Sequence, residues 1–135
     1  MIIRISPDLE KAKSIFGLVK SRKSAMPSLK KVDFPTVVAE NYYEIIKELI
    51  GISLLVDGLK AVGLNAHKDL IDKFSEYKVL NEQEILLVQD LRIKRNKSSY
   101  EGKQIEKIYL DNNENKLIEI VLKLEHYVKL KIGEK

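Results

Sequence analysis

A helical seam dominates the first half of the chain. Val38, Tyr42, Ile45, Leu49, Ile52, Val56 and Leu59 advance by four and three residues in strict alternation, the spacing that keeps side chains on one face of an α-helix packed at a shallow angle in a bundle. Ile46, Ile50, Leu54 and Leu55 widen that face. A helix apolar over so broad an arc needs neighbours on more than one side, so it is either the centre of the bundle or part of a dimer interface. The run predicts a helix near 35–63, the longest in the chain.

The flanking sequence is helical too. Ile5, Leu9, Ala12, Phe16 and Val19 share one face behind Ser6 as N-cap and Pro7 at the first helical position, giving a helix from about 7 to the low twenties. A basic loop broken by Pro27 follows. Gly63 is a stop, and Asn65 caps a short helix through Phe74. Asn81 with Glu84 forms a capping-box pair for a fourth helix, and Asp111 with Glu114 a second such pair for the last, whose buried stripe is Leu117, Val121, Leu124 and Val128. No stretch sustains strand alternation and no repeat is present. The expected fold is all-α: one domain over 1–135, an antiparallel up-and-down bundle of four or five helices.

Composition removes several classes of function. The chain has no cysteine, which excludes a disulfide framework and a cysteine-ligated zinc site. No apolar run approaches the roughly 20 residues needed to span a bilayer, and the start of the chain lacks the order of a signal peptide, so no membrane association and a cytoplasmic location are expected. His67 and His126 have no partner at metal-ligand spacing and read as structural. Residues 111–115 begin like a calcium loop, but Lys116 stands where the turn glycine belongs and Leu122 where the closing glutamate belongs. Phosphate-binding glycine loops, nucleophile elbows and dinucleotide fingerprints are absent. No metal and no cofactor are expected.

Positive charge is unevenly spread. Residues 11–31 hold seven lysines and arginines and no acid, and residues 92–103 add Arg92, Lys94, Arg95, Lys97 and Lys103 against Glu101 alone. Either a set of solubilising lysines or a face that attracts phosphate or an acidic partner would look like this. In the stretch "DLRIKRNKSSYEG", residues 90–102, Val88, Leu91 and Arg95 share one helical face, so Arg95 continues a buried stripe while Arg92 and Lys94 point elsewhere. Arg95 is then either a snorkelling stem or a guanidinium able to grip a phosphate bidentately.

The pattern "LRIKRNKSSYEG" resembles the motif of the HEPN family, the higher eukaryotes and prokaryotes nucleotide-binding domain. There an arginine followed by a polar residue precedes a histidine by four to six positions late in a small helical bundle. Arg95 and Asn96 match, and four residues separate Arg95 from Tyr100, which stands where the family has histidine. The resemblance implies a homodimer that binds RNA or a nucleotide through Arg95, Asn96 and Tyr100 with Arg92 and Lys97 nearby. It also implies a toxin–antitoxin or defence setting with a nucleotidyltransferase or antitoxin as partner. Members with the complete motif cut RNA without metal, using arginine and histidine as the catalytic pair. A tyrosine, neutral at pH 7, is a poor general base, so Arg95 and Tyr100 as a catalytic pair would give at most a weak ribonuclease. The remaining alternative is a catalytically silent interaction module. Asp57, an acid in an apolar helix, either orients the Arg95 fork or is solvated.

Overall fold

The computed structural model describes residues 1–134 and is mostly helical. A short strand β1 (Ile2–Arg4) leads into α1 (Leu9–Ala25) and a single 3₁₀ turn, Met26–Ser28. Helix α2 (Pro35–Val56), strand β2 (Leu59–Ala61) and helices α3 (Ala66–Ser75), α4 (Glu82–Glu101) and α5 (Lys107–Ile132) follow.

Helix α2 is the centre of the bundle. Its broad apolar arc is covered by α1, α3, α4 and α5 of the same chain, with Tyr43, Ile46, Leu49, Ile50, Ile52 and Leu54 all fully buried. That coverage answers the choice posed by the seam: the width of α2 reflects a central position within one subunit. Helix α5, not α2, is the longest element, at 26 residues against 22.

Pairs of side chains fix the helix directions. Thr36 bonds Ile105, Tyr42 bonds Glu114 and Asp57 bonds Lys131, so α2 and α5 run parallel. His67 packs on Tyr43 and Tyr77 bonds Asp57, so α3 runs the same way as α2. Arg22 to Glu48 with Asn41 to Met26, and Arg95 to Glu44 with Ser98 to Glu40, set α1 and α4 antiparallel to α2. The bundle is therefore not strictly up-and-down. Between α2 and α3 the chain returns along α2 in extended form, and this crossover carries β2 of a small sheet that no sequence alternation announces. Strands β1 and β2 pair antiparallel with Ile3 opposite Lys60.

Local chemistry explains where the elements stop. Helix α2 ends at Asp57–Gly58 because Gly58 adopts φ +72°, so Leu59 leaves the helix although it fits the four-three count. At the start of α1 the cap is Asp8, which accepts from the Lys11 N–H at 2.9 Å; Ser6 and Pro7 lie before the helix. Helix α5 begins four residues before Asp111, so Asp111 and Glu114 lie within it. They hold Lys31 at 3.4 and 3.1 Å, and Glu114 accepts from the Tyr42 hydroxyl at 2.8 Å.

The Asn81–Glu84 capping box forms as expected, with both reciprocal bonds at 2.8–2.9 Å. Glu84 also receives Lys123 of α5 on both oxygens, at 3.0 and 2.9 Å, and is only 5% exposed. Glu84→Ala removes cap and ion pair together and lowers stability by about 1–3 kcal/mol, whereas Glu84→Gln keeps an acceptor for the cap and loses roughly half as much. Urea unfolding midpoints check this; equal losses for the two variants would show that the cap contributes nothing.

Candidate functional site

The site predicted around Arg95 is divided by the geometry of α4. Successive residues turn by about 100°, so Tyr100 points roughly 140° and Lys97 roughly 160° away from Arg95. Tyr100 is 81% exposed and lies with Ile93 and Lys97 on the outer face of the helix. Helix α4 continues through Ser98 and Ser99 to Gly102 in the left-handed region, so Tyr100 does not fold back towards Arg95. Ser98 instead reaches α2, donating to Glu40 at 3.0 Å. Arg95 and Arg92 face inward and towards α3, and Asn96 lies half-buried between them and the outer face.

Arg95 meets residues that sequence reasoning did not connect. Its guanidinium donates to Glu44 at 3.2 Å, and Lys47 holds the other Glu44 oxygen at 2.8 Å. Burial pushes the Glu44 carboxyl up, but the Lys47 hydrogen bond with the charges of Lys47, Arg95 and Arg22 leaves it below the usual carboxylate range. Glu44 is thus the acid that orients Arg95. Asp57 is not: it lies about 20 Å along α2 from Glu44 at 1.5 Å per residue, where it accepts from Lys131 at 2.6 Å and from the Tyr77 hydroxyl.

Tyr43 forms the floor. The Arg95 guanidinium carbon lies 5.8 Å from its ring centroid, and the His67 ring packs on it at 6.1 Å. Tyr43 is completely buried, yet its hydroxyl has no hydrogen-bond partner. Burial pushes the phenol up to about 12 even though Arg92 and Arg95 act to lower it. Burial likewise lowers His67, and Lys47, Arg95 and Arg92 reinforce the effect against Glu44, so the imidazole is neutral at neutral pH. Arg92 is turned towards α3 by Gln89, which accepts from its Nε at 2.7 Å.

The resulting cleft draws Tyr43, Glu44 and Lys47 from α2, His67 from α3, and Arg92, Arg95 and Asn96 from α4. Comparison of the chain with protein-family models, curated proteins and solved structures finds no match. The chemistry of the cleft therefore has to be read from its own residues. Two guanidinium groups and one carboxylate act on a buried, unsatisfied hydroxyl, and Lys47 holds the same carboxylate, an arrangement suited to an anion with several acceptor oxygens. Among the described residues no group of three or more His, Asp or Glu side chains could hold a metal ion, and no helix is long and apolar enough to cross a membrane. His126 is exposed on α5, away from the cleft residues.

Proposed function

We propose that this protein is an HEPN-like RNA- or nucleotide-binding protein that grips phosphate in the cleft between α2, α3 and α4. The observation that carries the reading is the convergence of Arg92 and Arg95 on the buried, partnerless hydroxyl of Tyr43, with Lys47 on the Glu44 carboxylate that Arg95 also holds. An unsatisfied buried polar group costs free energy unless something completes its bonding. A phosphate oxygen would complete it while meeting the guanidinium forks. Asn96 stands at the rim. In this reading Lys97 and Tyr100, exposed on the outer face, contribute charge and stacking to a longer strand and do not act on the bound phosphate. The toxin–antitoxin setting, with a nucleotidyltransferase or antitoxin as partner, belongs to the same reading and rests on the motif alone.

Salt-dependent binding of a short RNA and of a mononucleotide is the direct test. Arg95→Ala is expected to weaken binding by about 1.5–3 kcal/mol, the worth of a charge-assisted contact, and to flatten the salt dependence. The reading fails if no salt-sensitive binding is found, or if Arg95→Ala binds like the parent while lysine-to-alanine changes in residues 20–31 abolish binding.

The outer face of α4 favours a second reading, an interaction module that pairs with another copy of the chain. Leu86, Ile93 and Tyr100 are exposed along it, with Ile108 of α5 also exposed. Light scattering at micromolar concentration decides: a dimer abolished by Leu86→Asp with Ile93→Asp supports pairing there, and a monomeric parent removes it.

A further inference from the structure

The first turn of α3 carries free donors at the same cleft. Asn65 occupies the N-cap position but makes no side-chain cap. The Ala66 N–H is taken by Gly63 at 3.2 Å and the Asp69 N–H by Asn65 at 2.8 Å. Among the described hydrogen bonds the amides of His67 and Lys68 have no acceptor. Because α3 runs parallel to α2 and starts beside Tyr43, these amides and the positive end of the helix dipole point along α2 towards the level where Arg95 meets Glu44. A helix start of this kind favours an anion, and here a second feature addresses the same place: the buried Tyr43 hydroxyl, without a partner, on a ring packed against His67 of that first turn.

Geometry and charge then select the kind of phosphate. Tyr43 lies completely buried beneath these groups and the first turn of α3 starts beside it, so the donors meet a ligand from below and from one end. Arg92, Arg95 and Lys47 against Glu44 leave two net positive charges with His67 neutral. An internal phosphodiester carries one negative charge and two free oxygens. A phosphate monoester carries nearly two charges and three free oxygens at neutral pH, matching the charge and offering the six donor groups one acceptor oxygen more than a diester does.

Resting on the phosphate-binding reading above, we propose that this cleft is a terminal-phosphate site: it seats the phosphate monoester at the end of an RNA strand or of a mononucleotide, and does not hold an internal diester. The Arg92 and Arg95 guanidinium groups flank the phosphate, Lys47 reaches it from α2, and the Tyr43 hydroxyl with the His67 and Lys68 amides takes the oxygens facing inward.

The test uses three ten-residue RNAs of one sequence, ending in a 5′-phosphate, a 3′-phosphate or hydroxyls at both ends, with binding followed by fluorescence anisotropy. At least one phosphate-ended RNA is expected to bind about tenfold more tightly than the hydroxyl-ended one, a factor equivalent to 1.4 kcal/mol, and the better of the two identifies the end recognised. Inorganic phosphate should compete for that increment alone. In Arg92→Ala and in Lys47→Met, each verified as folded by its helical circular dichroism, the ratio should fall towards one. Equal affinity of all three RNAs, with Arg95→Ala weakening each of them, overturns the terminal-phosphate site and leaves the RNA-binding reading standing. A preference that survives both Arg92→Ala and Lys47→Met also overturns it. Absence of binding by any RNA or by a mononucleotide overturns both.

Discussion

Phe74→Ala is expected to destabilise the fold by about 3–5 kcal/mol, the range for deleting a fully buried aromatic ring. Phe74 is inaccessible to solvent, and its ring lies 5.2 Å from that of Tyr77 and 6.0 Å, edge-on, from that of Tyr127. Lys131 sits over both tyrosines at 4.6 and 5.1 Å and holds Asp57. Phe74 therefore ties the end of α3 to α5, and Tyr77 beside it ties the same end to α2 through Asp57. Phe74→Leu should recover much of the loss, and Leu86→Ala, at a position 63% exposed, should stay within about 0.5 kcal/mol of the parent. Urea unfolding measures all three. Because α3 carries His67 and the free amides at its other end, Phe74→Ala should also weaken the proposed phosphate binding; a loss of stability below about 1 kcal/mol would show that this cluster does not anchor α3.

The parts of the fold that were legible in the sequence are those decided by short-range chemistry. The seam from Val38 to Val56 and the Asn81–Glu84 box depend on neighbours three or four residues away, and both are present. What escaped depends on distant partners. Strands β1 and β2, three residues each, are too short to show alternation, and each exists because the other is beside it. Asp111 and Glu114 have the spacing of a cap, but Lys31 and Tyr42 recruit them from elsewhere in the chain. The parallel course of α3 follows from the extended return after Gly58, and no periodicity encodes it.

The site divides in the same way. Arg95 was found because it continues the stripe of Val88 and Leu91, a local property, and it is held inward as that stripe requires. Tyr100 was joined to it by a motif counted along the chain, whereas the helix carries the two to different faces. Tyr43 was hidden among the apolar residues of α2. Glu44 and Lys47, three residues apart on α2, form an ion pair whose bearing on Arg95 depends on the antiparallel packing of α4. His67 gave no signal at all, since a single histidine in a polar segment is unremarkable until α3 sets it on Tyr43.

Gly58→Ala should cost about 2–4 kcal/mol, although it adds one methyl group. Two effects combine. The residue has φ +72°, where an L side chain costs about 1 kcal/mol or more. A Cβ built there would also lie 2.8 Å from the Ile5 carbonyl oxygen, with the Pro7 ring at 3.2 and 3.3 Å. The Ile5 oxygen belongs to backbone that cannot swing aside, because the Ile5 N–H donates to the Gly58 carbonyl at 2.8 Å. Relief requires β1 and the lead into α1 to move away from the end of α2. Gly102→Ala is the matched control: φ is +67°, yet the added Cβ meets nothing within 4 Å, so only the conformational cost of about 1 kcal/mol applies. Urea unfolding of the two variants separates the terms, and hydrogen exchange at the Val62 amide, which donates to the Met1 carbonyl at 2.8 Å, should accelerate in Gly58→Ala alone. Equal losses, with exchange at Val62 unchanged, would mean that the approach of Ile5 to Gly58 is loose and that the small sheet does not depend on it.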